Sequence, residues 1–179
     1  MSDELDEELN IIEERAFANE PNLEFALSIN EPIEKIFYRD PVIVFSDTTV
    51  SEAIDLFVEK DVGCVLVVEK STNKLIGIFT ERDVIRKLIN KGYDFKREIL
   101  NVHMTKNPDA LFLSDPIAYA LNRMAAGGYR HIPLIDENHC PVGFLSVRDI
   151  VEHLADYYPN EILNLPPSTH SKQRSPEGA

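Results

Sequence analysis

The sequence has no apolar stretch long enough to cross a membrane as a helix. Its longest apolar run covers residues 62–68 with Gly63 inside it, whereas a membrane helix needs about 20 apolar residues. The N-terminus, Met1-Ser2-Asp3-Glu4, is acidic and is followed by no apolar stretch, so we expect no signal peptide. These features predict a cytoplasmic protein with no membrane partner.

Positive charge is also scarce. The 179 residues contain 18 Lys and Arg against 31 Asp and Glu, which gives a formal net charge of -13. Residues 1–24 hold nine acids and one base, a net of -8, and the remaining chain carries -13 + 8 = -5. Because phosphate backbones need a basic face, the composition predicts no nucleic-acid partner.

Glycine and cysteine are few. The 7 glycines form no phosphate-binding loop, since the pair Gly127-Gly128 stands alone. Cys64 and Cys140 are far apart, in or beside predicted strands, which favours buried reduced thiols over a disulfide. His139 precedes Cys140 without a second ligand pair at metal spacing. We therefore predict no metal site, and the scattered histidines indicate no catalytic residues.

What the sequence does contain is a repeat. Residues 77–83, GIFTERD, return sixty-six positions later as residues 143–149, GFLSVRD. Upstream, residues 53–68 align with residues 120–135 at an offset of 67. Each copy of the motif ends a strand-like run and begins a helix-like one. A period of this length predicts a duplicated supersecondary unit whose two copies pack on each other.

Each copy has the pattern of a β-α-β-β-α unit, so the predicted fold class is α/β. Asp47 or Thr48 is placed to cap the first helix of the first unit. Asp115 is placed to cap the first helix of the second unit, with Pro116 at the first helical position. The predicted strands are 41–45, 62–68, 75–79, 110–113, 131–135 and 140–145, and the second helices are 80–89 and 146–157.

The remaining segments flank or join these units. Periodicity predicts an amphipathic helix over residues 3–17 and a short packed helix within residues 97–107. Residues 166–179 are Pro- and Ser-rich without periodicity, which is typical of disorder. We place the boundaries at 1–30 for the acidic helix and its linker, 31–96 and 97–158 for the two units, and 159–179 for a disordered tail.

The tandem unit resembles the cystathionine-β-synthase-type domain, or CBS domain, over residues 33–157. The two motif copies carry this resemblance, together with residues 130–136, RHIPLID, and the lead-in at residues 102–108, VHMTKNP. The resemblance implies a stand-alone CBS pair, or Bateman module, with its units packed about a pseudo-two-fold axis, sheet against sheet. It also implies two clefts that bind AMP, ADP, ATP, NAD or S-adenosylmethionine, and dimerisation of the pair.

The hydroxyl and the acid of each motif copy, Thr80 with Asp83 and Ser146 with Asp149, have two compatible interpretations. One is a capping box at a helix N-terminus. In the other, the carboxylate accepts hydrogen bonds from both hydroxyls of a ribose, and the helix N-terminus faces a phosphate. The family resemblance favours ligand contact in both copies.

Arg130 and His131 are basic where the first unit has Gly63 and Cys64. One alternative is a solvated edge residue and a core histidine, and the other is a pair of phosphate ligands. The missing base in the first unit predicts two unequal sites. The sequence leaves open which site uses Arg130 and His131.

The resemblance also implies that the ribose-binding acid of one unit faces adenine-packing residues of the other. We therefore expect two groups of ligand-binding residues, each drawn from both units. They are Thr80 and Asp83 with Ala110 and Tyr129, and Ser146 and Asp149 with Val42 and Val62.

The combined prediction is a regulatory, non-catalytic module that senses an adenosyl ligand between its two units, requires no other cofactor, and acts on a protein partner that the sequence does not identify. The alternative is a structural dimerisation adaptor with empty clefts. The intact Asp83 and Asp149 favour the sensor, because an adaptor needs no cleft carboxylates. A small nucleotide-using enzyme would need a nucleophile or base in the cleft, and the sequence indicates none.

We also predict a homodimer, because the second helix of each unit is more apolar than a unit of sixty residues needs. The residues concerned are Ile85, Leu88, Ile89, Ile150 and Leu154. The acidic N-terminal helix competes as a cover for the same surface.

Overall fold

The structure is a computed structural model that describes residues 29–157. It shows two β-α-β-β-α units with two small sheets, which confirms the predicted α/β fold class. The helix predicted over residues 3–17 and the tail predicted to be disordered lie outside the described residues. Within residues 29–157, no helix has the length and apolar character that spanning a membrane demands.

The first unit contains three strands and two helices. Strand β1 is parallel to β2, and β2 is antiparallel to β3. All five residues of β2 are buried, as its continuous apolar run predicts. The elements are β1 (Ile43–Phe45), α1 (Val50–Lys60), β2 (Cys64–Val68), β3 (Leu75–Thr80) and α2 (Glu81–Asp83), which continues as a π turn over Val84–Leu88.

The second unit, which follows the linker, has the same order of elements as the first unit. The linker forms a short helix and a short strand, α3 (Leu100–His103) and β4 (Thr105–Lys106), so its predicted packed helix is confirmed. The second unit consists of β5 (Leu111–Phe112), α4 (Ile117–Gly127), β6 (His131–Ile135), β7 (Pro141–Ser146) and α5 (Val147–Tyr157). Strand β5 is parallel to β6, and β6 is antiparallel to β7.

The chain that precedes the first unit packs on the second unit. The backbone N–H and C=O of Arg39 form two hydrogen bonds of 3.0 Å with Phe144 in β7. Ile33, in a 3-10 turn over Ile33–Lys35, and Ile36 are buried in the core of the second unit. Residues 33–39 therefore belong structurally to the unit that comes later in the sequence.

The linker makes the reciprocal exchange with the first unit. Strand β4 pairs with β3 and places Thr105 opposite Ile78. Leu100 and Met104 are buried in the core of the first unit. Thr105 pairs with Ile78, and Arg39 pairs with Phe144. Ile78 and Phe144 are sixty-six positions apart, and so are Arg39 and Thr105. Arg39 and Thr105 therefore occupy equivalent register positions beside the two units.

The N-cap of α1 differs from the prediction. Thr49 caps this helix in a capping box with Glu52, at hydrogen-bond distances of 3.2 and 2.8 Å. The predicted caps are engaged elsewhere: Asp47 pairs with Lys70, and the Thr48 hydroxyl accepts a hydrogen bond from the backbone at the end of β1.

The starts and ends of two further helices also differ from the prediction. Pro116 is the N-cap of α4 and not its first residue, because its backbone is extended, with φ of -64° and ψ of 144°. The Asp115 carboxylate, which was predicted to cap this helix, accepts a hydrogen bond of 2.8 Å from the backbone N–H of Phe112 instead. The helix predicted over residues 80–89 is a three-residue α turn and a π turn that ends at Leu88, one residue before the extended Ile89.

A third apolar cluster joins the two units. Its members come from β2 and β3 of the first unit and from β6 and β7 of the second unit, so the two sheets face each other across it. The buried residues of this cluster are Cys64, Leu66, Leu75, Ile78, Ile135 and Phe144. The two copies of the repeat thus pack on each other, as the sequence predicts.

Candidate functional site

The two repeated motifs form capping boxes at the starts of α2 and α5. The Asp83 Oδ2 atom accepts hydrogen bonds from the N–H and hydroxyl of Thr80, at 3.0 and 2.8 Å. The Asp149 Oδ2 atom accepts the same two from Ser146, at 2.7 and 2.6 Å. Each cap uses only one carboxylate oxygen, so the other oxygen, Oδ1, is left for a different partner.

That second oxygen is paired with a different cation in each unit. The Asp83 Oδ1 atom lies 2.8 Å from Nζ of Lys87, one turn later in the same element. The Asp149 Oδ1 atom lies 3.5 Å from Nε of Arg39, from the chain that precedes the first unit. The Asp83 side chain keeps 14% of its surface exposed, and the Asp149 side chain keeps none. Only Asp83 is therefore open to a cleft.

The first cleft lies between β3 and α2 of the first unit and the α4–β6 turn of the second unit. Its volume is about 320 Å³. Five residues that the sequence singled out line it together: Thr80, Asp83, Tyr129, Arg130 and His131. The structure thus brings three of the four residues predicted for this cleft, together with Arg130 and His131, into one cavity, and their binding role stays a prediction.

Two polar contacts shape the far side of this cleft. The guanidinium of Arg82 donates to the backbone carbonyl of Gly128, at the C-terminal end of α4. The hydroxyl of Tyr129 donates to Asp109 at 2.7 Å. Desolvation and the carboxylate of Asp109 raise the pKa of Tyr129 to about 12, so its phenol stays neutral near pH 7.

The second cleft lies between β7 and the start of α5 in the second unit and the end of α1 in the first unit. Its volume is about 310 Å³, and Val62 and Ser146 line it. Asp149 lies beneath this wall and not on it. Arg39 crosses the cleft, with Nη1 3.5 Å from the carbonyl of Asp61 at the C-terminal end of α1.

Two of the predicted adenine-packing residues lie on neither wall. The side chain of Val42 packs against the core of the first unit, and its carbonyl accepts a hydrogen bond from Leu66. Ala110 packs against the cluster that joins the two units. The hydrophobic packing of these two positions therefore accounts for their apolar character.

The two clefts share a wall. Glu81, Gly63, Arg130 and His131 line both of them. A Cβ atom on Gly63 would lie 3.0 Å from Cε1 and Nε2 of the His131 ring, so the missing side chain in the first unit makes room for the base of the second unit. Arg130 and His131 line both clefts, so their position alone does not assign them to one site.

The His131 imidazole is held neutral at this wall. Desolvation lowers its pKa from the ordinary value, and the neighbouring Arg130, Arg39 and Arg82 lower it further, while Asp149 opposes them. A neutral imidazole is a hydrogen-bond donor at one nitrogen and an acceptor at the other.

Each cleft presents three guanidinium groups in a chain whose net charge is negative. Arginine binds phosphate oxygens through paired N–H donors, so these groups are suited to a phosphate, and the first cleft also contains the carboxylates of Glu81, Asp83 and Asp109. They are Arg82, Arg86 and Arg130 in the first cleft, and Arg39, Arg130 and Arg148 in the second. Among residues 29–157, no cluster of His, Cys, Asp and Glu side chains has an arrangement that would hold a metal ion.

Sequence reasoning missed Arg39 and its counterpart Thr105. Both lie outside the repeated motif, and Arg39 reaches the second cleft only because its backbone pairs with Phe144. A signal was present, since the repeat offset of sixty-six that relates the two motifs also relates Arg39 to Thr105. Comparison of these two positions would have shown a charge in one unit and none in the other.

Two curated relatives are similar to this chain in sequence. An uncharacterized 17.7 kDa protein of Acidianus ambivalens is 31% identical over 116 residues, which are 65% of this chain and 68% of that protein. The uncharacterized protein MJ1225 of Methanocaldococcus jannaschii is 28% identical over 145 residues, 81% of this chain and 49% of that protein. The chain thus spans about two thirds of the first relative and about half of the second.

Solved structures share the fold. A conserved protein of Pyrococcus horikoshii is 28% identical with a TM-score of 0.63, over 69% of this chain and 92% of that chain. The CBS domain pair of MJ0100, in complex with methylthioadenosine and S-adenosylmethionine, has a TM-score of 0.63 at 19% identity, over 70% and 97%. CBSX2 in complex with AMP has a TM-score of 0.59 at 21% identity, over 72% and 98%.

The family model of the CBS domain matches the chain twice, at residues 33–90 and 97–156. These two matches correspond to the two halves of the repeat and cover more than half of the sequence. The chain therefore belongs to the CBS-domain family and carries a pair of CBS domains.

Proposed function

We propose that this protein is a regulatory module that binds an adenosyl ligand in the cleft between its two CBS units. AMP, ADP, ATP, NAD and S-adenosylmethionine are the candidate ligands. The observation that carries the proposal is the first cleft, where a half-buried carboxylate and three arginines line one cavity that both units form. Solved CBS pairs with methylthioadenosine and S-adenosylmethionine, and with AMP, support this ligand class.

The ribose of such a ligand has a matching partner in Asp83. The Oδ1 atom of this carboxylate faces Lys87, whose side chain is 40% exposed and can turn to solvent. A ribose carries two neighbouring hydroxyl donors, and a carboxylate oxygen has two acceptor sites. Displacement of Lys87 therefore frees Oδ1 for the ribose while the cap on Thr80 stays intact.

The phosphate has partners on the shared wall and on the helix start. Arg82, Arg86 and Arg130 surround the cavity and supply charged donors. Charge-assisted hydrogen bonds of this kind are about twice as strong as neutral ones. The residues proposed for the ligand are therefore Thr80, Asp83, Tyr129, Arg130 and His131, with Ser146, Asp149 and Val62 at the second cleft.

Lys87 suggests how binding would reach the rest of the chain. Its Nζ atom also donates to the carbonyl of His103 at 2.8 Å, at the end of α3 in the linker. A ribose that displaces Lys87 from Asp83 would loosen this tie between the first unit and the linker. We infer that ligand binding shifts the linker. This shift is transmitted to the second chain of a homodimer or to a protein partner in the cytoplasm.

Calorimetric titration with AMP and adenosine tests the proposal. Replacement of Asp83 and Asp149 together by Ala should abolish binding in a variant that circular dichroism shows to be folded. The matched control is Glu52→Ala, which removes the capping-box acid of α1 outside both clefts. Unchanged affinity in the double variant would refute the proposal, and a dimer that none of the candidate ligands stabilises would favour the adaptor.

A further inference from the structure

We propose that Arg39 closes the second cleft to a ribose, so that each chain binds one adenosyl ligand, in the first cleft. The inference rests on the proposed function and states which of the two equivalent clefts is used. Arg39 is then a specificity-determining residue, which lies in the sequence before either copy of the motif.

The position of Arg39 is fixed by its backbone. Both its N–H and its C=O are bonded to Phe144 at 3.0 Å, so its Cα atom is tied to β7 beside the second cleft. From there the side chain spans the cleft. Nε faces Asp149 in the second unit, and Nη1 faces the carbonyl of Asp61 in the first unit, both at 3.5 Å.

The acceptors of Asp149 are already in use. Its Oδ2 atom receives two hydrogen bonds from Ser146, and its Oδ1 atom faces Arg39. The carboxylate has no exposed surface, so a ribose can reach it only after Arg39 has left. Removal of the partner of a buried charge is strongly unfavourable, because that charge loses its compensation. The motif carboxylate of the second cleft is therefore not free for a diol.

Asp83 in the first cleft is held less firmly. Its partner Lys87 is on the same helical element and 40% exposed, so the ammonium can return to water. With side chains that are 40% and 14% exposed, this pair lies nearer to solvent than the pair that Arg39 forms with the fully buried Asp149. The ribose thus displaces a partly exposed lysine in the first cleft, whereas in the second it would displace an arginine whose backbone is paired with Phe144.

The two clefts differ in the residue at one equivalent register position. Thr105 occupies the register of Arg39 in the first unit and lines the first cleft. It has no charge with which to pair Asp83, and it is exposed on β4. The two residues are therefore suited to an exchange experiment, in which each cleft receives the side chain of the other.

The experiment is calorimetric titration of the full chain with adenosine and with AMP. We expect one equivalent per chain in the wild type, two in Arg39→Thr, and a roughly tenfold or greater loss of affinity in Thr105→Arg, the effect of one hydrogen bond to a charged group. AMP is included to test whether a phosphate draws Arg39 away from Asp149, which adenosine cannot do.

Two sites of equal affinity in the wild type, for either ligand, would overturn the inference and leave the proposed function intact. A single site in a folded Arg39→Thr variant would also overturn it. If that variant does not fold, Thr105→Arg decides, because unchanged affinity there contradicts the role of the arginine. Binding to none of the three proteins would overturn the proposed function and this inference with it.

Discussion

The imidazole of His131 lies against the backbone of Gly63, so that a Cβ atom there would be 3.0 Å from two atoms of the ring. The ring also packs edge-on to Phe144, with 6.1 Å between the ring centres. The histidine thus lies between the two units and contacts both of them, at the wall that both clefts share. Its protonation should therefore affect both the packing of the units and the binding of anions.

Acid should destabilise the protein through His131. Because desolvation and the neighbouring arginines lower its folded pKa, the stability that this group contributes is present above the unfolded value of about 6.5 and is lost as pH falls below it. Thermal denaturation of the wild type should show a larger drop in Tm between about pH 7.5 and about pH 5.5 than that of His131→Phe. His139→Asn, at an exposed left-handed position, is the control, and equal drops in all three proteins would contradict the prediction.

Arg130 should contribute to the binding of phosphate and not of the nucleoside. Loss of a hydrogen bond to a charged donor costs about 1.5–3 kcal/mol, so Arg130→Ala should weaken AMP roughly tenfold or more and leave adenosine unchanged. Calorimetry with both ligands measures the difference. Arg97→Ala is a suitable control, because Arg97 is 87% exposed and lies on neither cleft. Equal losses for both ligands would show that Arg130 does not contact the phosphate.

The two cysteines, both free as predicted, should differ in reactivity. Cys64 is fully buried, and desolvation raises the pKa of its thiol to about 12, whereas Cys140 is only half-buried. Since the thiolate is the reactive form, an aromatic disulfide reagent should label Cys140 in the folded protein and Cys64 only after denaturation. Cys140→Ser should remove the reaction of the folded protein. Rapid labelling of both thiols without denaturant would disagree with the described packing.

We predict a homodimer that depends on Ile85 and Ile89. Their side chains are 65% and 46% exposed, whereas Leu88 and Ile150, which the sequence placed in the same faces, are buried in the cores of their own units. Light scattering at tens of micromolar should show a dimer for the wild type and a smaller species for Ile85→Glu. The control is Val102→Glu, which changes an apolar residue of similar exposure on α3.

The alternative, in which the acidic N-terminal helix covers that surface, is tested with a shorter chain. If the acidic residues 1–24 cover Ile85 and Ile89, a chain that begins at Asn30 should dimerise while the full chain does not. A monomer in both cases would refute the dimer.

The sequence predicted those parts of the fold that local patterns determine. Continuous apolar residues indicated β2, and the spacing of Thr80 and Asp83 indicated a cap, because both depend on residues within a few positions of each other. The helix starts at Thr49 and Pro116 were missed by one or two residues, since several polar residues near each start compete for the same backbone groups.

The cross-unit contacts of the site could not be predicted in the same way. The contact of His131 with Gly63 and the reach of Arg39 to Asp149 join residues that are more than sixty positions apart. Both depend on how the sheets pack and on which strand edge the preceding chain joins. The repeat identified the carboxylates, but it did not indicate which cation each one would meet.

The exchange of segments between the units has a consequence for how the chain folds. A fragment that ends near Asn90 would lack Leu100 and Met104 from its core, and a fragment that begins near Arg97 would lack Ile33 and Ile36. The pairing of Arg39 with Phe144 also closes a loop of about 100 residues, a slow event because of its entropy cost. Denaturation should therefore follow a single cooperative transition, in which neither half of the duplicated chain outlasts the other.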